Sequence, residues 1–197
     1  MTRITSARTG NGDSGYSEVL SGKVIPKSSD ILIAQNYIQQ LMILSSKTLL
    51  GYSKLLDKED FDILYQLRLK ECNNLSAAVY YGLNPPYDSY IPTQFNNLLL
   101  DRLDYLNNYL DKADNFIIPI DSRECDFMLL NTTVRFLEVY LWKVVFELYI
   151  LPSNVPDSAK IIMSTYNTLS DYIYQLNRYV SIHHLDLTKE LYWDQTK

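Results

Sequence analysis

ECDFMLLNTTVRFLEVYLWKVVFELYI, residues 124–150, carries the clearest structural pattern in the chain. Its apolar residues recur at alternating spacings of three and four, which places them on one face of a helix: Phe127, Leu130, Val134, Leu137, Leu141, Val144 and Leu148. The segment 156–183 repeats the pattern with Ile162, Tyr166, Leu169, Ile173, Leu176 and Val180. The two segments therefore predict long helices that pack side by side in a bundle.

Three further segments with helical periodicity raise the number of predicted helices to five: 30–50, 58–82 and 92–112. Prolines agree with these boundaries, because Asn84-Pro85-Pro86 ends the second helix, Pro92 suits the start of the third and Pro156 opens the fifth. No stretch predicts a strand with comparable clarity. We expect an all-α, five-helix bundle over residues 30–197, preceded by a flexible N-terminal loop over residues 1–29.

The net charge of the chain and the length of its apolar stretches argue against nucleic-acid binding and against a membrane span. A formal net charge of -5 gives no general attraction to phosphodiester backbones, so nucleic acid is not an expected partner. The most apolar helical stretch is interrupted by Lys143 and Glu147, which is too soon to span a bilayer. The N-terminus lacks an apolar secretion segment, and we expect a cytoplasmic protein.

Cysteine and histidine residues give little support for a metal site. Cys72 and Cys125 lie in helical patterns without CxxC spacing, and we expect both to be buried free thiols. His183 and His184 are adjacent, so on a helix their side chains point about 100° apart. With Asp186 they are interpreted as a polar helix end, and no metal site is predicted.

A polar, glycine-bearing stretch near the N-terminus is the first chemical candidate. It runs RTGNGDSGYS over residues 8–17 and is followed by Gly22 and Lys27. Glycines allow backbone N–H groups to converge on an anion, and hydroxyls with a lysine can complete a phosphate cradle. The order of a Walker A motif is absent, and a merely flexible tail is the alternative interpretation.

This stretch resembles the ATP loop of the propanediol-utilisation-type ATP:corrinoid adenosyltransferases, which reads roughly TKTGDxGxT followed by RVxK. Thr9-Gly10 and the segment 13–17 fit the first motif with two extra residues between them. VIPK at 24–27 falls on RVxK, with Val24 at the arginine position. The resemblance therefore covers the loop and its lysine but not its arginine.

Later segments extend the resemblance along the chain. IAQNYIQQLM at 33–42 is similar to EAYGTVDELN of the family, with Gln39 and Gln40 at the acidic pair. NFIIP at 115–119 resembles the FILPGG turn, whose glycines are replaced by Ile120 and Asp121. The last helix resembles YLNRLSDxLFxLAR and keeps four of its polar residues: Asn167, Ser170, Asp171 and Arg178.

This sequence differs most from the family pattern at the family's catalytic helix, which reads ARTxCRRxER. It falls on NTTVRFLEVY at 131–140, where Thr132 stands at the first arginine and Phe136 and Leu137 stand at the paired arginines. On the last helix Thr168 has replaced a further arginine. Arg135 is a substitute cation one turn from Thr132, or alternatively the partner of Glu138 in an ion pair.

The resemblance implies a homotrimer that takes ATP with Mg²⁺ and a cobalt(I) corrinoid, and that transfers the adenosyl group with release of triphosphate. The positions that it implies for ligand binding are Thr9, Gly10, Asp13, Gly15, Ser17, Lys27, Asn167, Asp171 and Arg178. Without the guanidinium groups that offset triphosphate charge, we expect catalysis to be weak or lost, as in a pseudoenzyme. The alternative is a non-catalytic structural or interaction protein that keeps only the bundle.

Overall fold

The structure is a computed structural model that describes residues 13–18, 22, 24–113, 117–149, 151–185 and, for the backbone, 191–192. Helices dominate these residues. Their bounds are α1 Asp30–Tyr52, α2 Lys58–Gln66, α3 Cys72–Tyr80, α4 Thr93–Asn107, α5 Ser122–Leu148 and α6 Asp157–His184. A π-helical turn, Leu67–Glu71, joins α2 to α3 without a break, so these elements together occupy the predicted second helix. The predicted five-helix bundle is confirmed.

Short strands add two small antiparallel pairs that the sequence analysis did not predict. Strands β1 (Tyr16–Glu18) and β2 (Val24–Pro26) form a hairpin, with Ser17 opposite Ile25. Strands β3 (Ile117–Ile118) and β4 (Leu191–Tyr192) form the second pair. Strands of two or three residues are too short to give a period-two pattern, which explains why they were missed.

The core forms along the seam between α5 and α6. Six of the seven residues in the predicted α5 stripe are buried, and Leu148 is half exposed where α5 ends. All six residues of the predicted α6 stripe are buried. Helix α1 packs on the other side of α5, and α4 packs against α6, so the two long helices are the centre of the bundle.

A buried ion pair fixes α2 and α4 against α6. The Arg102 guanidinium donates to Asp60 through Nε at 2.8 Å and Nη2 at 2.6 Å, and Nη2 also donates to Asp57 at 2.7 Å. Tyr172 of α6 donates its hydroxyl to Asp60 Oδ1 at 2.9 Å. Burial opposes the charge on Arg102, but the bonds to Asp60 and Asp57 outweigh it and raise the pKa of the arginine.

Helix α5 begins at a capping box, in the place where the family that this sequence resembles has a glycine turn. The Asp121 carboxylate accepts from Arg123 N at 2.8 Å, and Glu124 Oε2 accepts from Asp121 N at 3.1 Å, which is a capping box. The D-x-x-E spacing at 121–124 was a signal for this cap. Helix α5 therefore begins at a defined point.

The two cysteines differ, which corrects the expectation that both are buried. Cys72 is buried at the start of α3, whereas Cys125 is exposed. Cys125 lies in the first turn of α5 on the side away from Phe127 and Leu130, which point into the core.

In the described part of the chain, no helix is both long and apolar enough to cross a membrane.

The end of α3 depends on one glycine. Gly82 has φ +64° and Leu83 has φ +61°, and Leu83 N donates to Ala78 O at 2.9 Å to close the helix end. A Cβ at Gly82 would lie 2.5 Å from Leu148 Cδ1. Any other residue at position 82 would therefore be strained by the positive φ, and its Cβ would also displace the half-exposed Leu148 side chain.

We predict that Gly82→Ala lowers the free energy of unfolding by about 1–3 kcal/mol, because alanine is strained at this φ and meets Leu148. Gly51→Ala is the matched control, since Gly51 lies inside α1 and a Cβ there meets nothing within 4 Å. That control should be neutral or stabilising by up to about 1 kcal/mol. Urea unfolding measures both, and equal midpoints for the two variants would contradict the prediction.

Candidate functional site

A cavity of about 540 Å³ lies between the β1–β2 hairpin, α1 and α3. Most of its polar lining is uncharged, with amides from α1 and α3 and hydroxyls from Ser17 and Ser76. Lys27 supplies the cation among the described lining residues. We call it the first cavity. It suits a ligand that offers many hydrogen-bonding groups and some negative charge.

The hairpin places Lys27 at this cavity. Gly15, with φ +84°, begins the hairpin, and Lys27 N donates to Gly15 O at 2.9 Å to close it. Ser17 on β1 then lines the same cavity as Lys27, which directly follows β2. Two of the predicted loop residues are thus brought together, whereas Asp13 is exposed and does not line the cavity. Thr9 and Gly10 lie outside the described residues.

The wall of the first cavity is held by a reciprocal pair of hydrogen bonds between α1 and α3. Gln35 Nε2 donates to Ser76 O at 2.8 Å, and Ser76 Oγ donates to Gln35 Oε1 at 2.7 Å. Burial, with the nearby Glu71 carboxylate, raises the pKa of Cys72 to about 12. This thiol is neutral at physiological pH, so the cavity offers no thiolate nucleophile at that position.

A second cavity, of about 380 Å³, lies between α5 and α6 and shares no lining residue with the first. Arg135 and Asp171 bring opposite charges to it, and Asn131 and Ser170 contribute buried polar groups. The Asn131 amide donates through Nδ2 to Ser170 O across the helix seam. We call it the second cavity. It contains both the predicted substitute arginine and the predicted ligand residue Asp171.

The Asp171 carboxyl in the second cavity has a shifted pKa, to which burial and Arg135 contribute. Burial raises the pKa of the Asp171 carboxyl even though part of the side chain reaches solvent, and Arg135 opposes that rise. Of the ion pairs within the described ranges, none joins Arg135 to Glu138. The proposed helical pair is therefore not formed, and Arg135 lines the second cavity together with Asp171.

The positions at which the resembling family has arginines are of two kinds. Thr132 and Phe136 are exposed on α5, whereas Leu137 and Thr168 are buried. Thr168 Oγ1 donates to Ser164 O at 2.9 Å within α6. An arginine at either buried position would have to leave the core or remain there without a partner. Of these four positions, the exposed pair can present a cation at the surface, and Val24, which stands at the arginine position of the hairpin, is exposed as well.

Phe136 is held in an aromatic stack rather than left as an isolated apolar side chain. Its ring lies 5.9 Å from the ring of Tyr37, and Tyr37 lies 5.3 Å from Tyr140, both in stacked geometry. The stack joins the outer sides of α1 and α5. Aromatic packing thus takes the place where the family has a cationic side chain.

The remaining predicted ligand residues on α6 do not converge on either cavity. Asn167 is exposed and lines neither of them. Arg178 is buried, and it donates through Nη1 to Gln175 Oε1 at 3.0 Å and through Nη2 to Asp111 O at 2.7 Å. Arg178 therefore ties α6 to the loop after α4, which is a structural role.

Several lining residues had no signal in the sequence. Asn73, Ser76 and Asn131 become part of cavities only because the helices meet, and isolated amides or hydroxyls on helices have no motif. In the described part of the chain, no group of three or more histidine, cysteine or carboxylate side chains could hold a metal ion.

This arrangement of helices, with an N-terminal hairpin over α1, is the fold of the ATP:corrinoid adenosyltransferases. Three solved structures of variants of the PduO-type ATP:corrinoid adenosyltransferase from Lactobacillus reuteri match with TM-scores of 0.72, 0.73 and 0.72. They cover 96%, 98% and 96% of this chain, and 100%, 98% and 100% of their own chains, at 16% sequence identity. Two are complexes with cobalamin and ATP, and the third is a complex with ATP.

No family model matches this sequence, and no curated protein matches it either. The resemblance noted in the sequence is confirmed by the fold over nearly the whole chain. At 16% identity, the likeness concerns the fold alone and leaves the chemistry to be argued from the residues present.

Proposed function

We propose that this protein binds an adenine nucleotide such as ATP at the first cavity and has weak or no adenosyltransferase activity. The observation that carries the proposal is the hairpin, which sets Ser17 and Lys27 against a polar cavity. The ATP complexes of the L. reuteri structures add support, since they have the same fold. The cavity lining can donate and accept hydrogen bonds, as recognition of a base and a ribose requires.

Charge is the reason to propose binding without efficient transfer. Departure of triphosphate requires cations that strengthen their hold on it as its charge develops. Lys27 is a single point charge, and Thr132 and Thr168 carry none. Mg²⁺ bound to ATP itself would supply part of the missing charge. Loss of the guanidinium donors should still cost about 10²- to 10⁴-fold in rate.

We also propose that the nucleotide site is completed by another copy of the chain, in a homotrimer. Asn167 lines neither cavity of its own chain and is exposed on α6, so it is available to a neighbour. The outer side of α5 carries exposed apolar residues that a neighbour would cover: Leu129, Phe136, Val139 and Phe146. A corrinoid is the second proposed ligand, because two of the compared structures hold cobalamin.

The second candidate function is a non-catalytic structural or interaction protein. The Phe136–Tyr37–Tyr140 stack favours it, because it replaces a charged position with packing that stabilises the bundle. Under this hypothesis the outer side of α5 still mediates assembly, but the first cavity has no ligand. Either function fits a cytoplasmic protein, which remains our proposal for its location.

We predict that the protein self-associates through α5, because its exposed apolar side chains lose water-accessible area on assembly. Light scattering at micromolar concentration should give the mass of a trimer. Val139→Glu should lower that mass, whereas Glu147→Gln, also exposed on α5, should leave it unchanged. A monomeric mass for the unmodified protein would refute self-association.

We predict that Lys27→Gln weakens ATP binding about tenfold or more, because it removes a charge-assisted contact to phosphate. Lys54→Gln is the control, since Lys54 is exposed and outside both cavities. Calorimetric titration with Mg-ATP measures the affinity, and the shift of the melting temperature provides a second readout. If unmodified protein shows no saturable stabilisation by ATP, the nucleotide function is wrong and the structural alternative is favoured.

We predict little or no turnover when the protein is mixed with Mg-ATP and reduced cobalamin, followed by the visible spectrum. Thr132→Arg should strengthen ATP binding, because Thr132 is exposed and stands where the family that this sequence resembles has an arginine. Thr168→Arg should instead destabilise the fold, because Thr168 is 8% exposed and its hydroxyl is bonded within α6. Rapid turnover by unmodified protein would overturn the proposal, and Arg135 would then be tested next.

A further inference from the structure

A third cavity, of about 500 Å³, lies between the π-helical turn Leu67–Glu71 and the start of α4. It shares no lining residue with the first or the second cavity. The segment 88–91 forms part of its wall, and Asn74 of α3 holds that segment by donating through Nδ2 to Ser89 O at 3.1 Å. A cavity of this volume is within the range of small-molecule sites, and π-helical turns are frequent at functional sites.

A buried carboxylate lies in the lining of the third cavity. Glu71 is 2% exposed, and its Oε1 accepts from Gln66 Nε2 at 3.0 Å and lies 3.5 Å from Lys70 Nζ. The bond from Gln66 spans five residues, which is the repeat of a π-helix, so Oε1 stabilises the turn itself. Both described partners of the carboxylate therefore engage the same one of its two oxygens.

The second oxygen of this carboxylate, Oε2, has no partner among the described residues. The unpartnered side-chain atoms of the described residues that are cut off from solvent do not include Oε2, so it retains contact with solvent. Glu71 lines two of the described cavities, and the other one has no room for a water molecule. The free oxygen is therefore at the third cavity, where a donor from a ligand would offset the cost of burying the charge.

The other lining residues determine which donor fits. Asp88 is exposed at the cavity and adds a second carboxylate, which no ion pair within the described ranges engages. Ser89 and Thr93 add exposed hydroxyls. Pro92 and Phe95 are buried and add an apolar surface. The cavity thus combines negative charge with hydrogen-bond acceptors and a small apolar area.

We propose that the third cavity binds a small primary amine in its ammonium form, with a short apolar chain. The ammonium group donates to Glu71 Oε2 and to the Asp88 carboxylate. The chain packs on Pro92 and Phe95. An anion would be repelled by both carboxylates, because Lys70, the one cation of the described lining, already lies against Glu71 Oε1. A neutral donor would make a weaker bond to Glu71 than a charged donor makes.

The test uses n-butylammonium as the probe, titrated into the full chain and followed by NMR chemical shifts and by calorimetry. Saturable binding is expected. n-Butanol has no charge, butyrate has the opposite charge, and tetramethylammonium has the charge without an N–H donor. Each of these three should bind about tenfold more weakly or worse. A tenfold loss corresponds to about 1.4 kcal/mol.

Variants assign the binding to Glu71. Glu71→Gln keeps an oxygen for the bond from Gln66 but removes the charge, so n-butylammonium should bind about tenfold more weakly or worse. Asp62→Asn, which removes an exposed carboxylate of α2 outside the cavity, should have no effect. Equal melting temperatures show that the variants fold. Asp88→Asn, a change at an exposed position, should weaken binding about threefold and carries the test if Glu71→Gln is unstable.

Three results are incompatible with the proposal. They are failure to saturate at millimolar n-butylammonium, equal binding of n-butanol or tetramethylammonium, and unchanged affinity in folded Glu71→Gln. Any of them would leave water as the occupant of the third cavity. The outcome does not depend on the nucleotide site, because the first and third cavities share no lining residue.

Discussion

Packing of the α5 apolar stripe against α6 is the interaction on which the other parts of the structure depend. Each buried leucine or isoleucine in this seam contributes about 1.5–3 kcal/mol by leaving water. The seam also sets the register at which the Asn131 amide meets Ser170 O. The second cavity opens beside that bond. Helix α1 packs on α5 and lines the first cavity together with the hairpin and α3.

The buried Arg102–Asp60 pair adds specificity to this frame. Asp60 has no exposed area and Arg102 has 7%, so both groups have lost most of their hydration. The two-point contact with Asp60, together with Asp57 and the Tyr172 hydroxyl, offsets that loss. Any shift of α4 along α6 would leave a charge buried without its partner. The pair therefore selects one placement of α4, whatever its net effect on stability.

Sequence patterns predicted the helices because periodic apolar residues report directly on burial. The α6 stripe from Ile162 to Val180 is an example in which every predicted residue is buried. The Arg102 pair could not be predicted in this way, since Asp60 and Arg102 are 42 residues apart and neither has a motif. The first cavity was predicted in part, through Ser17 and Lys27, whereas Ser76 and Asn131 became cavity residues only through helix packing. Cys125 was misplaced because its helix was recognised but its side of the helix was not.

Four positions at which the resembling family has arginines differ in how deeply their side chains are buried, and this difference bears on the proposed function: Thr132, Phe136, Leu137 and Thr168. Leu137 and Thr168 are integrated into the core, so charge at these points is incompatible with the packing around them. Phe136 is 52% exposed, yet it is committed to the Tyr37 stack. Thr132 is exposed and could carry a cation without loss of core packing. The function that we propose separates these two requirements: a ligand would be held through neutral hydrogen bonds and Lys27, because binding needs complementarity to the ground state. Transfer would need charge placed for the transition state, and Thr132, Phe136 and Leu137 carry none.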